Sequence, residues 1–371
     1  MLQIFRVAGI PVRVDASWLL VFGLISWSLA SGYFPYVLPD VTRGAAWLHA
    51  ITAAILLFAS VFLHELSHAL VARHHGVRVS GIRLHVFGGV SELESEPPTP
   101  RAEFLIAAVG PLTSFVIGAL CYGLGRALAD VPWLAALTGY LAAVNLIVGL
   151  FNLVPGFPLD GGRLLRAMLW GWSGQLGWAT RWASRAGSLF AFLLIALGAV
   201  RAVGGEMVGG LWFILIGMFL YQAARSSEET TGLHDRLEHL RVADVMTPRS
   251  MTVDAATPLR AMLGDDFGGR RLAAFPVVRD DHLVGFLPWR RMSERIADGV
   301  TAGDAMVPIR SDDVVAPDSS AWLAFLKTGR NRAGRVAVVD GGRLVGTVSR
   351  DDLEKAARLQ RLRADVGRRA A

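Results

Sequence analysis

Cysteine is almost missing from this sequence, which contains a single one, Cys121, among 371 residues. The chain therefore has no disulfide framework and no Cys-x-x-Cys metal site, so a metal ion would need histidine and carboxylate ligands. Charged residues are also scarce, at 18%, whereas 53% of the residues are hydrophobic and the mean hydropathy is +0.43. A chain this long and this apolar is not a purely soluble protein, and we expect at least one part to lie in a membrane.

Lysine is nearly absent as well, so arginine carries most of the positive charge behind the net charge of +6. A basic chain can bind nucleic acid, but these arginines are spread over loops and the C-terminal region, with no basic motif interleaved with aromatic residues. We therefore predict no nucleic-acid partner and interpret the arginines as topology signals and solvated faces.

Six apolar runs are long enough to cross a bilayer as helices. No small-residue cleavage site closes the first run, so we interpret it as a retained span and not as a signal peptide. The fifth run is the shortest. The predicted spans are Trp18–Val37, Ala46–Val71, Phe104–Leu124, Trp133–Val154, Ser188–Ala202 and Val208–Ala224.

Arginine placement predicts the orientation of these spans, because cytoplasmic loops hold the excess of positive residues. The side that carries most of the arginines includes both termini. We therefore predict a multi-pass protein of the cell membrane, in contact with lipid, with both termini in the cytoplasm. The arginines on the predicted cytoplasmic side are Arg6, Arg13, Arg73, Arg78, Arg83, Arg101, Arg163, Arg166, Arg181 and Arg185, against Arg43, Arg126 and Arg201 on the other.

An HExxH motif, His64-Glu65-Leu66-Ser67-His68, lies inside the second apolar run. Residues four apart share one face of a helix, so the imidazoles of His64 and His68 can reach the same metal ion, with Glu65 beside it. In zinc hydrolases of this pattern the metal lowers the pKa of a bound water and the glutamate takes its proton. Ionisable residues inside a membrane span are costly and functional by default, so the motif predicts amide hydrolysis.

A candidate third metal ligand follows the fourth run. Asn145 and Asn152 lie two helical turns apart on one face, and Pro155 and Pro158 break the helix just before Asp160. Irregular backbone at membrane depth must line a cavity or be buried in protein, which favours Asp160 as a ligand that leaves a fourth tetrahedral position open. In the alternative interpretation Asp160 is an interfacial loop residue and the asparagines pair helices.

Between the second and third runs, residues 77–93 alternate apolar and polar types on either side of Gly88-Gly89. This pattern predicts a β-hairpin beside the membrane. The hairpin is either a plain connecting turn or an exposed edge that pairs with an extended peptide.

Four motifs together resemble the site-2 protease family, and the resemblance covers residues 1–225. They are the HExxH motif, Phe87-Gly88-Gly89 in the hairpin, Gly110-Pro111 in the third run, and the segment from Asn152 to Asp160-Gly-Gly. The resemblance implies an intramembrane zinc metalloprotease that cleaves membrane-anchored proteins in or near their spans. The family often has an asparagine a few residues after the Gly-Pro pair, whereas residues 112–114 read Leu-Thr-Ser here.

Carried over residue by residue, the resemblance implies one zinc ion per chain bound by His64, His68 and Asp160. Glu65 would be the base, and Asn152 would contact the substrate or its developing oxyanion.

The composition changes after Ala224, where a polar linker at residues 226–241 leads into an internal repeat with a period near 60 residues. Val242–Pro248 corresponds to Ala302–Pro308, and Phe275–Gly285 corresponds to Val336–Gly346. Apolar strands that alternate with helical stretches predict two small α/β units packed as a pair. The repeat at 242–357 resembles a tandem CBS module, a kind that binds adenosine-containing nucleotides between its repeats, and a basic tail follows at 358–371.

The two halves of the repeat differ at the position that the resemblance assigns to the nucleotide. The second half keeps a Ser/Thr-x-x-Asp signature in Ser349 and Asp352, which suit a sugar or phosphate and a ribose hydroxyl pair, respectively. The first half has Pro288 and Arg291 there. We therefore expect one site for ATP, AMP or another adenosyl ligand, with a module that only forms a homodimer as the alternative.

The sequence thus predicts a multi-span α-helical membrane protein, with about six transmembrane helices and a small membrane-proximal β-hairpin, plus a soluble α/β tandem CBS domain. The predicted function is intramembrane hydrolysis of membrane-anchored proteins (regulated intramembrane proteolysis), modulated by adenine nucleotide. The alternative is a CBS-regulated transporter or channel, since intramembrane carboxylates can also line transport pathways. Metal content distinguishes the two, because only the hydrolase needs about one zinc per chain.

Overall fold

The computed structural model describes residues 2–85, 88–93, 95–248, 252–263, 274–280, 282–296, 299–331 and 334–370. The chain divides into two compact units, Met1–Glu229 and Thr230–Ala371. Most of the first unit is helical, whereas the second mixes short helices with a sheet.

Six helices are long and apolar enough to cross a membrane, which confirms the predicted number of spans. The first span, Ser17–Val37, consists of α1 (Ser17–Ser28), a π-helical segment (Leu29–Tyr33) and α2 (Phe34–Val37). The fifth span was predicted to be the shortest but extends over 28 residues, because its helix begins ahead of the apolar run, in a stretch that includes arginines. The other spans are α3 (Arg43–His74), α4 (Pro100–Ala127), α5 (Pro132–Asn152), α7 (Leu176–Val203) and α8 (Met207–Leu237).

Small residues form the buried face of the second span, α3. Ala46, Ala50 and Ala53 are less than 3% exposed and are spaced three or four residues apart, so they share one face. Such faces are typical of membrane helices, because small side chains let neighbouring backbones approach closely. His64 and His68 continue the same buried face at its C-terminal half. The helix period therefore directs both histidines into the interior.

The predicted hairpin is confirmed, but it is half of a larger sheet. Strands β3 (Val79–His85) and β4 (Gly88–Leu93) pair antiparallel, and β1 (Leu2–Val7) and β2 (Ile10–Val14) form a second hairpin whose β2 pairs parallel with β3. The strand order is β1-β2-β3-β4, so β4 is an edge strand. Gly88 already pairs with His85 within the ladder. Phe87, a part of the family motif, lies outside the described residues.

A short helix, α6 (Asp160–Ser173), follows the irregular segment after α5. Its 14 residues are too few to cross a bilayer. One face is buried through Gly161, Gly162, Arg166 and Ala167, while Trp172 is 80% exposed. This amphipathic pattern is typical of a helix at the membrane interface.

The last membrane helix, α8, continues as one helix through much of the predicted linker and ends at Leu237. The polar residues after Ala224 include glutamates, which favour helix, and Glu229 lies 3.5 Å from Arg225 in an i,i+4 ion pair. Proline is absent from 226–241, and polarity alone does not end a helix. Residues 226–237 are therefore helical.

The second unit contains one sheet with the strand order β10-β11-β12-β8-β7-β6, with β5 paired to β12 and β9 paired to β8. β5 belongs to the first repeat and pairs with the second, while β9 does the reverse, so each half supplies a short strand to the other. The strands are β5 (Thr247–Pro248), β6 (Val253–Asp254), β7 (Ala274–Arg279), β8 (His282–Pro288), β9 (Val307–Pro308), β10 (Val314–Val315), β11 (Arg335–Asp340) and β12 (Arg343–Ser349).

The helices of this unit cover cores of apolar residues from each repeat. The last of them extends through the predicted basic tail as far as Ala370. The helices are α9 (Val242–Val245), α10 (Trp289–Glu294), α11 (Ala302–Ala305), α12 (Ala321–Arg330) and α13 (Arg350–Ala370), with 3₁₀ turns at Leu259–Leu263 and Ser311–Asp313.

Candidate metal centre

Three side chains that can bind a metal ion meet inside the membrane domain. His64 and His68 are each 4% exposed, and Asp160 reaches them from the first turn of α6. Asp160 Oδ2 lies 3.1 Å from His64 Nε2 and 3.2 Å from His68 Nε2. Their ligand atoms all lie within 4.8 Å of one another, and no other such group of three occurs among the described residues. The structure thus brings together the three predicted ligands.

The far nitrogen of each imidazole has a partner that favours metal binding through Nε2. His68 Nδ1 lies 2.6 Å from the carbonyl oxygen of Ile106, which can only accept, so Nδ1 donates and Nε2 keeps its lone pair. His64 Nδ1 lies 2.9 Å from Ser114 Oγ, which is buried. Partners of this kind orient histidine ligands in metal sites. Sequence reasoning missed Ser114, although it lies one turn after Gly110 on the same face of α4.

Gly110 leaves the space in which the two imidazoles lie. A Cβ at this position would lie 2.6 Å from His64 Nε2 and would overlap His68 Nε2, so only glycine allows α4 to pass this close. Two imidazoles and one carboxylate are the ligand set of a catalytic zinc site with one open position. The residues present therefore fit a zinc ion.

Asp160 is held in the ionised form that binds a metal. Burial by itself raises the pKa of Asp160, but attraction to His68 and His64 in their protonated form outweighs it and holds the pKa of this carboxyl well below its usual range. A metal ion on the two Nε2 atoms would take the place of those protons and would favour the same ionised carboxylate. The position at the start of α6 also favours a negative charge, because the N-terminus of a helix is electropositive.

Glu65 is half-buried and lies against strand β4. Ser91 Oγ lies 3.0 Å from Glu65 Oε2 and 2.9 Å from the Glu65 carbonyl oxygen. A Cβ on Gly89 would overlap Cγ of Glu65 and would lie 3.0 Å from its Cδ. Neither contact was predictable from the sequence, because a helix and a strand that meet only after the chain folds share no local pattern.

Close backbone packing holds the segment that carries Asp160. A Cβ on Gly161 would overlap the Leu153 carbonyl group, and one on Gly162 would overlap the backbone of Gly156. On the other side, a Cβ on Gly187 of α7 would overlap the Phe157 backbone. The Gly-Gly pair after Asp160 is thus required by close approach of the first turn of α6 to the preceding loop.

A buried ion pair ties α6 to α4. Arg166 is 5% exposed, and its Nε donates to Glu103 Oε1 at 2.6 Å while its Nη2 donates to Glu96 Oε2 at 2.9 Å. Glu103 is fully buried. The interpretation of the arginines as solvated faces is therefore wrong for Arg166, which lies inside the protein because two carboxylates compensate its charge.

Asn152 makes a local hydrogen bond in this structure. Its Nδ2 donates to the carbonyl oxygen of Val148, one turn earlier in α5, at 3.1 Å. Asn145 is buried and donates to Leu141 in the same way, at 2.9 Å. Among the described hydrogen bonds, neither amide contacts the three metal-ligating side chains.

In the second unit, Ser349 and Asp352 bond to each other at the start of α13. Ser349 Oγ donates to Asp352 Oδ2 at 2.6 Å, and Asp352 N donates back to Ser349 Oγ at 3.2 Å. This is a capping box, and the same arrangement joins Thr301 to Asp304 at the start of α11. The start of α10, which is the equivalent position in the first repeat, has no such box, since Pro288 caps α10 without a side-chain bond and Arg291 donates to the Met306 carbonyl.

Two buried histidines of α3, which also carries Glu65, meet an aspartate of α6 in a unit with six helices long and apolar enough to cross a membrane, and this combination fits a membrane-embedded metallohydrolase. Comparisons with known proteins agree. The model of peptidase family M50 matches residues 52–139 and 126–197, and the CBS domain model matches residues 242–298 and 304–358.

Two relatives match over nearly their whole length. The chain is 37% identical to the zinc metalloprotease Rip3 of Mycobacterium tuberculosis over 372 residues, covering 96% of this chain and 93% of the relative. It is 28% identical to the zinc metalloprotease MJ0392 of Methanocaldococcus jannaschii over 370 residues, covering 98% of each. A solved site-2 protease from Methanocaldococcus jannaschii shares 28% identity with a TM-score of 0.43, covering 61% of this chain and 94% of that one.

The chain belongs to peptidase family M50, the site-2 proteases, and is a multi-pass membrane zinc metalloprotease with a CBS module.

Proposed function

We propose that this protease hydrolyses peptide bonds of membrane-anchored proteins within the membrane, at a centre formed by His64, His68, Asp160 and Glu65. The observation that carries the proposal is the meeting of three ligand atoms within 4.8 Å of one another, on elements of a six-span helical domain. A transporter would gain nothing from a water-activating ligand set next to a glutamate.

Each residue has a separate role in the proposed reaction. His64, His68 and Asp160 would hold one zinc ion, which when bound would act as a Lewis acid on a carbonyl group and lower the pKa of water. The Glu65 carboxylate accepts the proton of the attacking water and later returns it to the leaving amine. Asn152 turns its amide from Val148 to the substrate or its oxyanion, which its position before the Asp160 segment allows.

A substrate helix hides its carbonyl groups in hydrogen bonds, so it must be unwound before attack. Strand β4 is the edge of the four-stranded sheet and lies beside Glu65, and we propose that the unwound segment pairs along this edge. Most arginines near the ends of the spans lie on one side of the predicted membrane. This distribution favours a cytoplasmic location of strand β4 and of both termini.

The first prediction separates metal binding from proton transfer. Glu65→Gln and Asn152→Ala should both keep about one zinc per chain and lose most cleavage, whereas Asp160→Asn should lose zinc and activity together. Atomic emission measures the zinc content of each purified variant. Mass spectrometry identifies the membrane proteins that the Glu65→Gln variant traps. Equal zinc loss in all three variants would contradict the assigned roles.

We also propose three domains, which are a membrane domain of residues 1–225, a connecting segment at 226–241 and a CBS module at 242–357. The module binds one adenine nucleotide through its second repeat, and this binding modulates cleavage. Asp352 is the one carboxylate at the ribose position of either repeat. Its bonds to Ser349 fill one carboxylate oxygen, Oδ2, so Oδ1 is available for a ribose hydroxyl.

The second prediction tests this site against a matched capping box. Asp352→Ala should weaken ATP or AMP binding by the full-length protein about ten- to a hundredfold, the value of a hydrogen bond to a charged group. Asp304→Ala removes the equivalent cap at Thr301 and should leave binding unchanged. Calorimetric titration measures both, and equal effects of the two variants would mean that Asp352 acts only as a helix cap. A wild-type protein without nucleotide binding would leave the module as a homodimerisation device.

A further inference from the structure

Strand β4 contacts the candidate base through one face. Gly89 and Ser91 are two residues apart in β4, so they lie on the same side of the strand. Gly89 leaves the space that Cγ of Glu65 fills, and Ser91 Oγ reaches the Glu65 carboxylate at 3.0 Å. Both contacts therefore act on one side chain of α3, from the edge strand of the sheet.

The hydroxyl of Ser91 can hold the carboxylate in one position. It carries a single proton, and its two neighbours on Glu65, Oε2 and the backbone oxygen, can only accept. The proposed base acts as a carboxylate, and a carboxylate oxygen is a stronger acceptor than a backbone carbonyl oxygen, so the hydroxyl proton then points to Oε2. The other carboxylate oxygen, Oε1, then stays available to take a proton from water. A general base must lie within hydrogen-bond reach of the proton that it takes. A glutamate side chain that can change rotamer freely spends less time at that distance than one held by a hydrogen bond.

We propose that Ser91 and Gly89 are positioning residues, which hold the Glu65 carboxylate in the rotamer needed for proton transfer. This inference rests on the proposed protease function. Neither residue touches the metal-ligating atoms, so removing the hydroxyl lowers the rate of the chemical step and leaves zinc binding intact.

The structure supplies a matched control on the neighbouring strand. Ser80 of β3 is half-buried like Ser91, and its hydroxyl lies 3.2 Å from the Glu92 carbonyl and 3.4 Å from Glu92 Oε2. Ser80→Ala therefore removes the same pair of contacts, to a backbone oxygen and to a carboxylate, at a place without a role in proton transfer.

The experiment uses the full-length zinc-loaded protein in detergent, with fluorescein-labelled β-casein as the probe, because an unfolded chain needs no helix unwinding. Ser91→Ala should lower kcat about ten- to a hundredfold while KM, zinc content and unfolding temperature match those of Ser80→Ala. Ser91→Thr, which keeps the hydroxyl on a residue suited to a strand, should recover most of the rate. Gly89→Ala should lower kcat further, because its Cβ displaces Glu65.

The proposed function is tested first and separately: the wild-type protein should cleave casein, and removal of zinc should stop this cleavage. The inference is tested by the difference between the kcat values of Ser91→Ala and Ser80→Ala. Equal kcat values for Ser91→Ala and Ser80→Ala would overturn it. A loss in Ser91→Ala that lies in KM, in zinc content or in unfolding temperature would also overturn it, because each indicates a structural role for the strand edge.

Discussion

A histidine binds a metal ion well only if its other ring nitrogen is occupied. The two ligand histidines differ in this respect. His68 donates to the Ile106 carbonyl, which fixes its tautomer, whereas His64 depends on the hydroxyl of Ser114, which can either donate or accept. Ser114 must accept from His64 Nδ1 if His64 Nε2 is to hold a metal. The orientation of one hydroxyl therefore decides how well His64 serves as a ligand.

Replacing Ser114 tests this dependence. Ser114→Ala should weaken zinc binding about ten- to a hundredfold, the usual cost of removing the partner of a ligand histidine. Competition with a chelator measures the affinity, and Thr113→Ala is the control, because Thr113 donates only to Val109 in its own helix at 2.8 Å. Similar zinc affinities for the two variants would show that Ser114 does not orient His64.

At the residue scale the sequence predicted which three side chains meet as candidate ligands, but it did not predict the partners of these side chains. HExxH carries its own geometry, since residues four apart meet on any helix, and Asp160 follows a helix break that has to be buried. Ser114, Ser91 and Arg166 gave no such sign. Their roles depend on which helix or strand lies opposite, and that is decided by packing of the whole domain.

At the scale of elements, α6 carries a candidate metal ligand at one end and a buried charge near its middle. Asp160 starts the helix, and Arg166 lies less than two turns further along, bonded to Glu103 of α4. Helix α4 also carries Ser114 and Ile106, which contact the two histidines. The Arg166–Glu103 pair therefore joins α6, which carries Asp160, to α4.

Removing Arg166 should loosen this connection. Arg166→Met keeps much of the apolar stem but leaves Glu103 buried without its partner, which costs about 3–5 kcal/mol of stability. We expect a lower unfolding temperature and weaker zinc retention in the detergent-solubilised protein. Arg163→Met should have a smaller effect, because Arg163 Nε is 3.9 Å from Glu103 and its side chain is partly exposed. Recovery in Arg166→Met/Glu103→Gln would confirm that the unpaired charge is the cause.

The elements themselves were predictable where a long apolar run or an alternating pattern marked them. The six spans and the β3–β4 hairpin fall in this group. The β1–β2 hairpin escaped prediction because it is short, and its turn at Ala8-Gly9 has positive φ at a residue other than glycine. Parallel pairing of β2 with β3 joins residues 12–14 to residues 82–84, and no local pattern predicts so distant a partner.

For the whole molecule, the continuity of α8 matters most. This helix begins as a membrane span and ends at Leu237, which is fully buried in the apolar core of the second unit. The segment that was predicted from its composition to be a polar linker is therefore helical in its first part. A nucleotide can change cleavage only if it binds two states of the protein with different affinity, and a helix is an element that can differ between such states as a unit.

Breaking α8 in the polar stretch should uncouple the two functions. Glu228→Pro removes a backbone donor and costs about 3 kcal/mol in a helix interior, whereas Glu228→Ala removes the same carboxylate and keeps the helix. We expect both variants to retain zinc, nucleotide affinity and basal cleavage of labelled casein. The change in cleavage rate on adding ATP or AMP should persist in Glu228→Ala and disappear in Glu228→Pro. A nucleotide effect of full size in Glu228→Pro would show that the signal does not require α8 as a continuous helix.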